Sequence, residues 1–461
     1  MLTFRITRHG LKVCRRWSSS STKDSKYKLQ YQVRPKLDYA FLSSNKETLT
    51  QSILDRKYEN INMEEFATMY QKRLQVYNQL KALNTTRNTV SAAVNKAATK
   101  SEKQELIEEG KAIKSQVKST EEELKEIEDY LLNKGLLIPN IIHPKTPIGP
   151  EKNALVLKTI GTPQISDDFK DHLQITTELN ILDLEQAAIT SGSSFYYLQG
   201  MGAFLELALV NYAMHKAASK GFFGVLTPDI VRTSIAHGCG FQPRTDEHSQ
   251  IYDIQSKNDP ICLAGTAEIP LAGKFAGRSL LESQLPQRLV GFGHAFRTED
   301  GGRGQETKGL YRVHQFSKVE LFAVTTPEQS ENMMEEIKEV QEEIFTELGL
   351  CFRILDMPTE ELGASAYRKY DIEAWMPGRK SWGEISSTSN CTDYQSRRLG
   401  IRYRQAHNEN HQIFCHTLNG TAIAVPRVII ALLETFQQKD GSVFIPKVLR
   451  KWLPGEPEYL K

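Results

Sequence analysis

No stretch of this 461-residue chain approaches the ~18 uninterrupted apolar residues of a membrane-spanning helix, although 39% of its residues are hydrophobic. Neither common nucleotide loop is present. No G-x-G-x-x-G follows a strand-like segment, and no G-x-x-x-x-G-K-[ST] occurs anywhere, so a bound nucleotide must be gripped by other means. The six cysteines (Cys14, Cys239, Cys262, Cys351, Cys391 and Cys415) form no C-x-x-C pair, which excludes zinc-knuckle spacing and leaves buried free thiols in a reduced compartment as the expectation. Acidic residues are missing from the first 23 positions, where Arg5, Arg8, Lys12, Arg15, Arg16 and Lys23 accompany a serine run. A basic, serine-rich, acid-free start reads as a mitochondrial targeting peptide over 1–23, the other reading being a basic tail that binds RNA. Losing those six positive charges takes the formal net charge from +2 to −4. A chain of that charge needs a local basic surface, not a global field, to bind nucleic acid.

Glycine and proline are almost absent from about 64 to 134. Apolar residues recur there in steps of three and four: Phe66, Met69, Val76, Leu80, Leu83, Val90 and Val94, then Leu106, Ile113, Val117, Leu124, Ile127 and Leu131. Arg73, Arg87, Gly110 and Thr120 interrupt the pattern. The spacing predicts an antiparallel two-helix coiled coil, with Ser101 and Gln104 as a capping box for the second helix. Lys72, Arg73, Lys81, Arg87 and Lys96 make the first helix basic, whereas "STEEELKEIED" makes the second acidic. Charge pairing between the helices and a basic face for RNA are both compatible with that asymmetry. The prolines of "LLIPNIIHPKTPIGPEKN" read as an interdomain linker, here 141–152. The remainder mixes helices with strand-like runs without a regular βαβ repeat. The expected class is α+β: an antiparallel sheet flanked by helices over 153–461, preceded by an N-terminal unit, 24–140, that carries the arm.

The stretch "FRTEDGGRGQETKGLYRVHQF" is chemically overloaded for a hairpin. Residues two apart share a strand face, so Arg297 and Glu299 pair on one strand, and Arg312, His314, Phe316, Lys318 and Glu320 on the next. Arginine forks suit phosphate, and an aromatic suits a base. Three further segments carry matching chemistry. "GTAEIPL" holds Thr266 and Glu268. "WGEISSTSN" holds Glu384, Ser386, Ser387 and Asn390, oxygen donors fit for a hard cation. "HTLNGTAIAVPRVIIALLE" runs from a strand into an apolar helix with one cation, Arg427, after Pro426 at its start.

Taken together, "FRTE…GLYRVHQFSKVE" resembles motif 2 of class II aminoacyl-tRNA synthetases, "LNGTAIAVPR" resembles motif 3, and the helix and strand ending at Pro228 resemble motif 1. "TAEIPL", "RVHQFSKVE", "GEISSTSN" and "HTLNGT" narrow the resemblance to the seryl-tRNA synthetases of bacterial type, over roughly 35–455. The resemblance implies ATP-dependent serine activation and transfer to tRNA-Ser, with Mg²⁺ as cofactor, a homodimer, the mitochondrial matrix as location, and an arm that contacts tRNA through its basic helix. It implies an ATP site from Arg297, Thr298, Glu299, Arg312, Phe316, Glu384, Ile385, Ser386, Ser387 and Arg427, with Arg297, Arg427 and Glu384 catalytic and Glu384 with Ser387 holding Mg²⁺. It implies a serine pocket from Thr266, Ala267, Glu268, Glu320, Asn419 and Thr421. Position 421 departs from the usual serine of the family by one methyl group. The competing readings are an inactive paralogue that only binds RNA or protein, and a class II enzyme for proline or threonine.

Overall fold

The computed structural model describes residues 33–58, 61–241, 250–256, 259–299, 309–405 and 408–461. The candidate targeting peptide and the polar loop after Asp300 lie outside these residues.

Eight strands form the main sheet: β1 (Leu155–Ile160), β2 (Phe223–Leu226), β3 (Gln287–Phe296), β4 (Gln315–Thr325), β5 (Phe352–Asp356), β6 (Arg368–Met376), β7 (Ser381–Asn390) and β8 (His416–Ala424). Their order is β1-β5-β6-β7-β8-β4-β3-β2, antiparallel throughout except for edge strand β2, which runs parallel to β3. The labelled helices are α1 (Tyr39–Ser44), α2 (Lys46–Asp55), α3 (Met63–Val94), α4 (Lys100–Leu137), α5 (Met201–Ser219), α6 (Glu268–Gly273), α7 (Ser330–Glu347), α8 (Tyr394–Leu399) and α9 (Val425–Phe436).

Strand alternation divides β4 between two cores. Val319, Leu321 and Ala323 face the larger core with α5, α7 and α9, while Phe322 and Val324 face a smaller one with α6 and α8. Phe316, Lys318 and Glu320 share the parity of the second face, so the polar half of β4 opens beside the smaller core. Gly420 lets α7 approach β8, since a Cβ there would meet Ile337 Cγ2 at 2.3 Å.

Helices α3 and α4 form the predicted arm, about 50 Å long at ~1.5 Å per residue. Val76, Val90, Ile113, Val117, Ile127 and Leu131 are buried between them, and Thr120 is buried alongside. The second helix starts earlier than the Ser101–Gln104 signature suggests. Thr99 is extended and its hydroxyl accepts from Glu102 N at 3.2 Å, while Glu102 Oε2 accepts from Ala98 N at 3.0 Å. The cap therefore belongs to Thr99, two positions upstream, and Glu102 reaches back past it to the preceding Ala98 N–H.

The arm is rooted by buried polar groups. Arg56, 1% exposed, donates to the carbonyls of Gly363 at 2.8 Å, Ala366 at 2.7 Å and Ile141 at 3.2 Å. Arg398 donates to Ile138 O at 3.1 Å and Leu136 O at 3.3 Å, capping the end of α4, where helix carbonyls lack partners. Asn140 donates to Ser365 O and Cys391 O, each at 2.9 Å. The proline-rich segment after α4 is laid against the sheet unit through His143 N to Tyr367 O at 3.0 Å and Thr359 N to Pro147 O at 2.9 Å. Its prolines stop the helix, yet these bonds hold it as a bound strap.

Candidate functional site

The antiparallel ladder between β7 and β8 runs through Thr388, Ser389 and Asn390 opposite Gly420, Asn419 and Leu418. Past that point the side chain of Gln341, on α7, joins the strands, donating to Ser387 O at 2.8 Å and Thr421 O at 2.9 Å. Above the split lies a pocket, open to solvent, lined by β4, β7, β8, the start of α9 and the segments flanking the polar loop.

Arg427 enters this pocket from the first turn of α9. Its guanidinium donates to Glu384 Oε2 at 2.9 Å, Glu384 O at 3.1 Å and Tyr311 O at 3.1 Å. Tyr311 lies between two guanidinium groups, Arg379 at 3.7 Å and Arg427 at 4.7 Å from its ring centre, and its hydroxyl accepts from Glu384 N at 3.2 Å. Enclosure opposes ionisation of Glu384, but Arg427 and Lys369 outweigh it and hold its pKa at about 2. Glu384 is thus a fixed anion, 40% exposed toward the pocket.

Arg297 follows β3. Its Nε donates to Gly265 O at 3.2 Å, and its guanidinium lies 5.4 Å from the centre of the Phe316 ring. Glu299 has a left-handed backbone, φ 51°, and meets Arg312 at 3.5 Å. Strand β3 ends at Phe296 and β4 begins only at Gln315, so Arg297, Glu299, Arg312 and His314 come together through loop geometry, not as strand faces. Phe316, Lys318 and Glu320 do share a strand face, as alternation predicts.

Beside this pocket lies a second, buried polar cluster. Glu268 opens α6 and Thr266 precedes it in the turn, so "GTAEIPL" is a turn into a short helix and not a strand; Glu268 N donates to Thr266 Oγ1 at 3.3 Å. Lys318 Nζ donates to Thr266 Oγ1 at 3.1 Å and pairs with Glu320 Oε2 at 2.8 Å. Thr421 Oγ1 donates to Glu320 Oε2 at 3.3 Å. Asn419 Nδ2 donates to Glu268 Oε1 at 2.9 Å, joined by Gln395 Nε2 at 2.6 Å. Burial, then the neighbouring Glu320, push the Glu268 carboxyl up to about 7, against the lowering by Gln395, Lys318 and Arg297.

Ile385 and Ser386 line the pocket, the Ser386 hydroxyl donating to Thr421 O and the Ile385 side chain packing into the larger core. Other sequence candidates stand apart from it: Asn390 Oδ1 accepts from Thr392 N at 2.9 Å as a turn cap. Thr298 donates through its backbone to Gln250 O at 3.4 Å, and Ala267 is a small buried residue before α6. Sequence reasoning passed over Tyr311, Lys318 as a site residue, and Gln395. Only the position of Lys318 on the Phe316–Glu320 face signalled its place. On the arm, Lys72 pairs with Glu123 at 2.8 Å and Arg73 with Glu128 at 2.7 Å, while Lys81, Arg87 and Lys96 are exposed.

Residues 37–142 match the seryl-tRNA synthetase N-terminal domain, and residues 252–436 match the tRNA synthetase class II core domain (G, H, P, S and T). The serine–tRNA ligase of Treponema denticola is 43% identical over 417 residues, 90% of this chain and 97% of that protein. The mitochondrial serine–tRNA ligase of Schizosaccharomyces pombe is 41% identical over 91% of this chain and 88% of that protein. The crystal structure of seryl-tRNA synthetase from Pyrococcus horikoshii complexed with ATP superposes with a TM-score of 0.84 at 32% identity, covering 92% of this chain and 99% of that one. On these matches, which span both the arm and the site-bearing sheet, the chain belongs to the serine–tRNA ligase family of class II aminoacyl-tRNA synthetases.

Proposed function

We propose that this chain activates L-serine with ATP to seryl-adenylate and transfers the seryl group to the 3′ end of tRNA-Ser, as a homodimer in the mitochondrial matrix. The observation that carries the catalytic reading is the adjacency of two sites. A cationic pocket with Arg297, Arg427 and Phe316 opens directly beside the buried cluster of Glu268, Lys318, Glu320 and Thr421.

In the first step the serine carboxylate attacks the α-phosphorus in line and pyrophosphate leaves. No protein nucleophile is required. Arg297 neutralises the α-phosphate, Arg427 the distal phosphates, and Phe316 offers its ring to adenine, with Glu299 on the adenine side and Arg312 held in place by Glu299. Positioning and charge neutralisation supply the rate enhancement. Among the described residues no three His, Cys, Asp or Glu side chains cluster as a metal site. The ionised Glu384 carboxylate and the Ser387 hydroxyl fit a hard cation that also takes phosphate oxygens, so these two residues would hold Mg²⁺. Bound there, Mg²⁺ supplies charge neutralisation of the phosphates. In the second step the terminal tRNA hydroxyl attacks the seryl carbonyl and AMP leaves.

Thr421 and Glu320 present oxygens where a substrate hydroxyl would sit. A pocket built for that hydroxyl rejects alanine by roughly 10⁴–10⁵-fold, because polar groups would be left unpaired. Threonine is rejected by space, which the extra methyl of Thr421 reduces further.

The acid-free basic N-terminus and the mitochondrial relative support the location. A dimer is supported by apolar side chains left uncovered on one edge: Leu226 is 80% and Phe223 70% exposed on β2, with Phe204 and Leu207 exposed on α5. Serine-dependent pyrophosphate exchange tests the activity; exchange with proline or threonine in place of serine, or none at all, overturns it. A reporter carrying residues 1–23 that stays in the cytosol overturns the location. A monomer in sedimentation at working concentration overturns the dimer.

A further inference from the structure

Gln395 sits in the first turn of α8 and is 0% exposed. Its Nε2 donates to Glu268 Oε1 at 2.6 Å and reaches the carbonyl of Cys239 at 3.4 Å. Its own Oε1 is buried without a donor among the described residues. An amide that only filled space would be replaced at no loss by a hydrocarbon. Here one end is left unpaired so that the other can point at a carboxylate, an arrangement that packing alone does not require.

Glu268 itself is 6% exposed, and among the described residues no cation is paired with it. The charged and titratable groups facing it are Glu320 and Lys318 from β4, Arg297 after β3, and the thiols of Cys239 and Cys391. Lys318 is committed to Glu320 and Thr266. Among the described residues, the side chains hydrogen-bonded to the Glu268 carboxylate are two amides, Gln395 and Asn419, both on Oε1. That leaves Oε2 for a ligand and leaves the cation to be brought by that ligand.

The helix that carries Gln395 is fixed at both ends. Arg397 Nε donates to Asp393 Oδ2 at 2.7 Å, and Gly400, with φ 70°, ends the helix in the left-handed conformation. Arg398 is stacked 3.4 Å from the centre of the Tyr394 ring and tied to the carbonyls at the end of α4.

We propose that Gln395 is a positioning residue for the amino-acid pocket: its side-chain amide fixes the rotamer of Glu268 and favours the anion that receives the substrate ammonium. This rests on the reading that Glu268 contacts serine. The donor acts only through Glu268, so its loss falls on serine and not on ATP. Removing an N–H that stabilises an anion also raises the pH at which that anion forms.

The test is serine-dependent pyrophosphate exchange by Gln395→Leu across pH 6–9, with KM measured separately for serine and ATP. A hydrogen bond to a charged group predicts a rise in serine KM of about 10–100-fold, with ATP KM within about twofold, and an acidic limb of kcat/KM for serine shifted to higher pH. Gln395→Asn, which keeps the amide on a shorter arm, recovers part of the loss. Equal losses for serine and ATP, or an unmoved pH limb, overturn the proposal by marking a packing defect. If Gln395→Leu is silent while Glu268→Gln abolishes serine binding, Gln395 has no positioning role. If Glu268→Gln is silent too, the placement of Glu268 in the serine pocket is what fails.

Discussion

Arg427 and Glu384 meet at 2.9 Å where the first turn of α9 abuts the open end of β7, and the same guanidinium also holds the Glu384 carbonyl and that of Tyr311. One cation thus organises a backbone corner and an anion at once. Only a planar fork with several fixed donors can do both.

Arg427→Ala is expected to lower the exchange rate by on the order of 10²–10³-fold, the scale seen when one preorganised donor to a charged transition state is removed. Arg427→Lys restores the charge but not the three-way geometry, so it recovers less than about tenfold of that loss. Full activity in the lysine variant would show that charge alone matters. Both proteins should keep the wild-type circular dichroism, which separates a site defect from an unfolded one.

Glu268 links stability to function in opposite directions. Its folded pKa is raised to about 7, mainly by burial. A carboxyl raised in this way favours folding fully below the unfolded pKa of roughly 4.3, and that contribution is lost as pH rises through about 7. Glu268→Gln keeps an oxygen for the amides of Gln395 and Asn419 without a charge to bury. Its stability should match wild type near pH 4 and exceed it at pH 8, by up to about 3 kcal/mol. Serine should raise the melting temperature of wild type at pH 8 and leave the variant unmoved. Differential scanning fluorimetry at both pH values reads all four quantities.

What could be read from the sequence was the chemistry of short segments; what could not was how loops bring them together. Alternation placed Phe316, Lys318 and Glu320 on one face because β4 is a regular strand through those positions. The same rule failed for Arg297, Glu299, Arg312 and His314, since the chain leaves the strand at Phe296 and Glu299 turns left-handed. The arm was legible because a two-helix coil needs only its own period. Ser386 and Asn390 read as cation donors, but in β7 their side chains are taken up by the neighbouring Thr421 carbonyl and the turn at Thr392. Gln395 was invisible: a lone glutamine carries no pattern, and its partner lies 127 residues away in sequence.

Arg56 ties the base of the arm to three carbonyls on the sheet side and the strap, and it is a buried cation. Arg56→Met would leave those acceptors without their donor, at about 1–3 kcal/mol for each that water does not reach. The variant is expected to melt earlier and to become sensitive to proteolysis between 139 and 147. Because the pockets stand apart from Arg56, exchange at low temperature should stay within about threefold of wild type while tRNA charging falls by about tenfold or more. That split follows from an arm that no longer holds its direction, since a misplaced contact far from the chemistry can cost up to roughly 10²-fold. Parallel losses in both assays would place the defect in the sheet unit instead.

The basic helix of the arm separates into two groups of side chains, and they predict different phenotypes. Lys72 and Arg73 are engaged by Glu123 and Glu128 of α4. Exposed pairs of this kind contribute about 0–1 kcal/mol, so Lys72→Ala or Arg73→Ala should shift the melting temperature slightly and tRNA affinity little. Lys81 and Arg87 are exposed farther along α3, and Lys96 in the turn just after it, toward the tip. If the arm reads an RNA backbone, these three supply the phosphate contacts. The triple alanine variant should then bind tRNA-Ser more weakly, with a salt dependence of log K reduced by about 3, one unit per lost contact. Pyrophosphate exchange, which needs no tRNA, should be unchanged. Filter binding across a salt series measures the slope directly. An unaltered slope in the triple variant, with a reduced slope in Lys72→Ala and Arg73→Ala, would move the RNA surface to the base of the arm.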